Sequence, residues 1–210
     1  MKWPILFSLL VPLSVWSASL PLSEAIFDAS KLNYLHPAPG PEVVSYVAMN
    51  LKFEPAESLR TALEKHLGLS TPLLHRGEAH ITLVTPGEYL ILQAAPKGFG
   101  YNDIEALLQK SGLQRALFDT VCVGKGYVAS SGAEKSTYYV VVKSDELRAL
   151  RNRLFELYKA RGGNPSLFDP AGYYPHITLG FTERDLHESD GVKKGQNSCF
   201  LDIEIQDAVK

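Results

Sequence analysis

A chain of 210 residues suits one domain, or two small lobes that share a core. Its 45% hydrophobic and 21% charged content is that of a globular protein and argues against a disordered one. With 21 Lys and Arg against 23 Asp and Glu, the formal charge of −2 offers no basic excess for coating a long nucleic acid, so any nucleic acid bound is a short piece in a local pocket.

Lys2 is followed by a run that is apolar from Trp3 to Val15 apart from Ser8 and Ser14, and then by small residues around Ser17. That order of charge, apolar run and small residues predicts a secretory signal peptide over residues 1–18. The run falls short of the roughly 20 residues of a membrane span, and Pro4 and Pro12 interrupt it. The mature chain is thus expected to be secreted or otherwise extracytoplasmic, soluble, free of membrane and monomeric. Residues 19–41 end in the Pro-rich stretch LHPAPGPE and read as an N-terminal extension; the folded domain is expected over 42–210.

Within that domain, Val43 to Phe53 has strand character. Leu59, Leu63 and Leu67 then fall on one helical face, ahead of Gly68 as the stop. The segments HITLVT and EYLILQA both read as strands, and YNDIEALLQKSG as a helix with Asn102 as its cap. Two strands follow, ALFDTVCVG and STYYVVVKS, joined by a turn near Ser130 to Gly132. The clearest helix begins at Ser144 as N-cap and carries Leu147, Leu150, Leu154 and Leu157 as its stripe. YPHITLGF and CFLDIEIQD close the chain as strands. Helices separated by strand pairs predict an α+β fold: two pseudo-symmetric lobes of mainly antiparallel sheet, helices outside, and a central groove. Cys122 and Cys199 both lie in strand-like apolar runs and read as two buried free thiols, although an oxidising compartment would allow a disulfide.

The sequence His-Ile-Thr-Leu occurs at His80 to Leu83 and again at His176 to Leu179. Side chains alternate along a strand, so His80 and Thr82 share one face, as do His176 and Thr178, while the isoleucines and leucines face the core. A related pair of lobes would bring two imidazoles and two hydroxyls into one groove. Histidines near their ordinary value of about 6.5 supply a base and an acid at neutral pH, and hydroxyls hold nonbridging phosphate oxygens. That set suits in-line displacement at phosphorus without a metal or other cofactor. Tyr174 shares the face of His176, held extended by Pro175, and is placed to stack on a nucleobase. Arg76, Lys97 and Lys125 lie in loops and could meet phosphate, but surface charge is the commoner role for each. The glycine-containing APKGFGY lacks P-loop spacing, and there is no G-x-S-x-G elbow.

With EAHITLVTP and YYPHITLGF the chain resembles the 2H phosphoesterase superfamily, whose signature is a pair of H-x-[ST]-x motifs on strands. That superfamily includes RNA 2′,3′-cyclic phosphodiesterases, 2′-5′ RNA ligase-like proteins and the cyclic phosphodiesterase module of fungal tRNA ligases. The resemblance runs from about Val43 onward. It implies a bilobal fold whose groove is lined by His80, Thr82, His176 and Thr178. It also implies a cyclic phosphate on an RNA end, oligonucleotide or nucleotide as substrate, and a 2′-phosphate product. On the same basis His80 is the acid and His176 the base, an assignment that the pseudo-symmetry of the two motifs leaves reversible on sequence. The signal-like N-terminus departs from the many relatives that work inside cells. Two other functions fit the sequence: a secreted RNA-end or nucleotide-binding protein without turnover, and an enzyme for 2′-5′ or other phosphodiester linkages.

Overall fold

The computed structural model describes residues 18–35, 46–130 and 133–208, so the proposed signal segment up to Ser17, the Pro-rich stretch and the turn tip at 131–132 lie outside it. Its core is a seven-stranded sheet formed by β1 (Ser19–Ser23), β2 (Val47–Leu51), β3 (Ala79–Val84), β4 (Asp119–Ser130), β5 (Ala133–Lys143), β6 (His176–Phe181) and β7 (Cys199–Gln206). The order across the sheet is β1-β7-β4-β5-β6-β3-β2. All neighbours are antiparallel except β1 and β7, and the sheet stays open at both edges. Among the described residues four α-helices complete the α+β fold: α1 (Phe53–Leu67), α2 (Pro86–Gln93), α3 (Tyr101–Ser111) and α4 (Asp145–Ala160).

The helices on which the sequence spoke most clearly form as their patterns require. In α1, Leu59 and Leu63 are fully buried, and Gly68 ends the helix at φ +63°, a conformation that glycine adopts without a Cβ penalty. In α4, Ser144 Oγ accepts the Leu147 N–H (3.1 Å), and Leu147, Leu150 and Leu154 are buried. Four expectations change. EYLILQA is helical: Thr85 Oγ1 accepts the Glu88 N–H (3.3 Å), Glu88 Oε2 accepts the Thr85 N–H (2.8 Å), and Pro86 fills the first helical position. That reciprocal cap outweighs a strand-like composition, and Tyr89 and Leu92 turn inward. The cap of α3 is Gly100, whose N–H is taken by Asp103 Oδ2, rather than Asn102.

The start of the predicted N-terminal extension is part of the sheet. Ser19–Ser23 pairs in parallel with β7 from Ser19↔Asp202 to Ser23↔Gln206, burying Leu20 and Leu22. Pro21 is tolerated there because the strand lies at an edge. A 3-10 turn over Glu24–Phe27 then buries Ile26. The cysteines are likewise not free. The β4–β7 pairing brings Cys122 and Cys199 to a Cα separation of 5.7 Å and they form a disulfide.

Candidate active site

The two HITL strands are direct neighbours. β3 and β6 pair antiparallel with Ile81 opposite Ile177, which sets His80 across from Thr178 and Thr82 across from His176. The two motifs are therefore related by a local two-fold through the Ile81–Ile177 pair, side by side on one sheet face. Ile81, Leu83, Ile177 and Leu179 point to the other face and are buried in the core, so a slip of one residue would expose all four.

A cleft of about 560 Å³ opens over the polar face, and His80, Thr82, His176, Thr178 and Tyr174 all line it. That volume lies within the range of small-molecule sites and exceeds what a phosphate group alone would fill. Neither Lys97 nor Lys125 reaches it; Lys125 pairs with Glu134 at 2.7 Å.

The two histidines differ in their surroundings. His176 Nδ1 donates to the Tyr174 carbonyl at 2.7 Å; a carbonyl can only accept, so the bond fixes the tautomer and leaves Nε2 as the basic nitrogen. The ring meets Tyr139 edge-on, centroids 5.7 Å apart. Burial, with the Lys194 ammonium nearby, holds His176 well below the usual histidine range, against the pull of its carbonyl bond. His80 is also lowered by burial, but Glu78 works in the opposite direction. Glu78 Oε1 lies 3.5 Å from His80 Nδ1, which makes no hydrogen bond among the described residues. Glu78 is thus the counter-ion that a protonated His80 would meet.

Beside Thr178 sits a buried carboxylate that sequence reading missed. Asp185 Oδ1 accepts from Lys194 Nζ (2.6 Å) and Thr137 Oγ1 (2.9 Å), and Oδ2 from Arg76 (3.2 Å) and Thr178 Oγ1 (3.4 Å). Burial alone would raise this carboxyl, but the Lys194 charge and these donors hold it below its ordinary value. Lys194 is itself lowered by burial and lies 5.4 Å from the Tyr139 ring centroid. His187 and Tyr46 add to the cleft wall.

The far wall is fixed by Arg151. All five of its N–H donors are used: on Leu83 O, both Glu88 oxygens, Asp169 O and Pro170 O. Its guanidinium also stacks between Phe168 and Tyr173. Tyr173 is buried, and its hydroxyl donates to Thr82 O at 3.1 Å. Arg151 thereby ties α4 to the end of β3, to α2 and to the loop that leads into β6.

Glu78 was within reach of the sequence, since it stands two before His80 as Tyr174 stands two before His176. Asp185 and Lys194 lie in loops with no period to mark them. Among the described residues no group of three or more His, Cys, Asp or Glu is arranged to hold a metal ion.

An open α+β sheet that pairs two H-x-T strands over one cleft defines a phosphoesterase architecture. Residues 45–187, more than half of the chain, match the 2H-SAK model, described as Swiss Army Knife, 2H phosphoesterase domain. The protein belongs to this 2H phosphoesterase family and is a hydrolase of the phosphodiesterase class. No curated protein and no solved structure matches the chain.

Proposed function

We propose that the protein opens 2′,3′-cyclic phosphates on RNA ends, oligonucleotides or nucleotides, giving a 2′-phosphate, by two-histidine acid/base catalysis without a metal ion. One observation carries the reading: the two motif histidines share one face but have opposite partners, a carbonyl at His176 and a carboxylate at His80. A carbonyl-held, neutral imidazole suits a base. An imidazole beside a carboxylate suits an acid.

In this reading His176 Nε2 takes a proton from water as its oxygen attacks phosphorus. The bond from phosphorus to the 3′ oxygen breaks, and His80 protonates that oxygen to a hydroxyl. The hydroxyls of Thr82 and Thr178 donate to the nonbridging oxygens, where charge builds. Thr178 turns its hydrogen from the long Asp185 contact to do so. Tyr174 forms part of the wall against which a base would lie. The cleft volume supports a substrate of nucleotide size.

We also propose that the chain acts outside the cytoplasm as a monomer after loss of residues 1–18. The Cys122–Cys199 disulfide supports an oxidising compartment. Sequencing the N-terminus of exported protein, and sizing it in solution, tests this.

The chemistry is tested by incubating the protein, in EDTA, with a short RNA ending in 2′,3′-cyclic phosphate and resolving products by phosphate position. A 2′-phosphate product that His80→Ala and His176→Ala both abolish is expected. A 3′-phosphate product would overturn the polarity, product formed only with added metal would overturn the mechanism, and tight end-binding without product would make the protein a binding module. Cleavage of 2′-5′ linkages alone would move the substrate class.

A further inference from the structure

Arg76 stands at the mouth of the recess formed with Glu78, His80, Thr178 and Leu179, and it lines the main cleft as well. We propose that Arg76 is a catalytic residue whose guanidinium grips the nonbridging oxygens of the reacting phosphate, adding a fixed positive charge to the two threonine hydroxyls. The inference rests on the phosphodiesterase reading of this cleft.

The backbone is built to deliver that side chain. Leu74 bridges Phe181 of β6 through two hydrogen bonds of 2.9 Å, which lays the segment before β3 along the end of the second motif strand. Gly180, which ends the run HITLG, makes room for this: a Cβ there would come within 2.8 Å of Leu73 Cβ and 3.0 Å of Leu74 O. Gly77, at φ +73°, then turns the chain back into β3 immediately after Arg76. His75 Nδ1 accepts the Gly77 N–H (3.2 Å), and its ring stacks on Phe53. Arg76 is therefore held between a backbone bridge to β6 on one side and a tight turn into β3 on the other.

Its charge is only partly used. Asp185 Oδ2 is the acceptor that the described residues give it, through one nitrogen at 3.2 Å, and the side chain is 43% exposed. The other N–H donors remain for a ligand. Asp185 cannot serve as a base in this position, because Lys194, Thr137 and Thr178 also donate to it. It serves instead to hold Arg76 beside Thr178, across the strand pair from His80. A planar guanidinium there matches two phosphate oxygens at once, which neither threonine can do. As negative charge grows on those oxygens in the transition state, a fixed cation acts more on turnover than on substrate affinity.

The test compares wild type with Arg76→Ala and Arg76→Lys, and with Arg153→Ala as a charge control on the exposed outer face of α4. Arg76→Ala is expected to lower kcat by about 100-fold, with KM changed less than about 3-fold. Arg76→Lys should recover a minor part of that loss. Added guanidinium ion should restore Arg76→Ala, which loss of a merely structural contact would not allow. Separately, inorganic phosphate is titrated into each protein while the ring signals of His80 and His176 are followed by NMR. Arg76→Ala should weaken phosphate binding by about 10-fold. Wild type that binds phosphate through Arg76 yet turns over no cyclic phosphate supports the anion site and sinks the substrate reading alone. Arg76→Ala with kcat and phosphate affinity within 3-fold of wild type overturns the inference. So does a wild-type protein whose two histidine signals ignore phosphate.

Discussion

Ile81 and Ile177 are cross-strand partners, both fully buried, and the two catalytic-type motifs are disposed symmetrically about them. The polar face of the site and the core beneath it are thus two sides of one strand pair. Truncating either isoleucine to alanine should cost about 2–5 kcal/mol of stability. The double variant should depart from the sum by 0.5 kcal/mol or more, an order-of-magnitude coupling set by direct contact. Urea unfolding of the four proteins measures it. Single losses near zero, or strict additivity, would mean that the pair is not the hinge of the site.

The pH dependence of kcat/KM follows from what faces each histidine. Glu78 and Asp185 raise His80 while burial, Arg76 and Lys194 lower it, and burial prevails. The acid must be protonated, so activity should fall as pH rises through a His80 value below the ordinary 6.5. His176 must be neutral and lies lower still, so the rising limb belongs to it. Removing the Glu78 charge in Glu78→Gln takes away the main factor that raises His80, and the alkaline limb should move to lower pH while the acid limb stays. A profile measured in both proteins decides; an alkaline limb that stays put, or moves up, would remove Glu78 from the acid's environment.

The same burial makes a stability prediction. His176, His80 and His187 are all lowered by burial in the folded chain. Below their unfolded value of about 6.5 the unfolded chain binds more protons, so stability should be full above that pH and decline as pH falls toward their folded values. Each such group contributes at most about 1.4 kcal/mol per pH unit. His176→Asn keeps a donor for the Tyr174 carbonyl but cannot be protonated, so its unfolding free energy should fall less steeply between pH 6.5 and 4 than that of the wild type. Parallel curves would show that His176 takes no part.

What the sequence made legible was whatever alternation or helical spacing repeats. Period two placed His80, Thr82, His176 and Thr178 on one face, and applied at Glu78 it would have found the carboxylate beside His80 too. Loop residues carry no such period: Asp185 and Lys194 meet only because the chain after β6 folds back over Thr137 and Tyr139. The helix α2 was hidden by an apolar LIL run that suits either state over so short a length. Its Thr85–Glu88 cap was the deciding signal. β1 went unseen because its partner, β7, lies at the far end of the chain.

The disulfide was illegible for the same reason, and it yields the last prediction. Cys122 lies in β4 on the same sheet face as the site, packed with Tyr139 and Val141, and Tyr139 meets the ring of His176. Cys199 begins β7, five residues after Lys194, whose loop passes over Gly126 so closely that a Cβ there would meet Val192. The bridge therefore fastens the strand that follows the Lys194 loop to β4, beside the Tyr139 ring that meets His176. It also closes 77 residues of sequence separation, which restricts the unfolded chain and contributes about 2–4 kcal/mol. Cys122→Ser/Cys199→Ser should melt roughly 5–15 °C below the oxidised wild type. Well below that new midpoint it should still lose turnover, because the loop that carries Lys194 to Asp185 is no longer tied to β4. Reduction of the wild type should reproduce both changes. Thermal unfolding and turnover at 20 °C read the two effects separately. An unchanged Tm would show that β4 and β7 hold without the bridge. A lowered Tm with full turnover would confine the disulfide to stability and release the Lys194 loop from it.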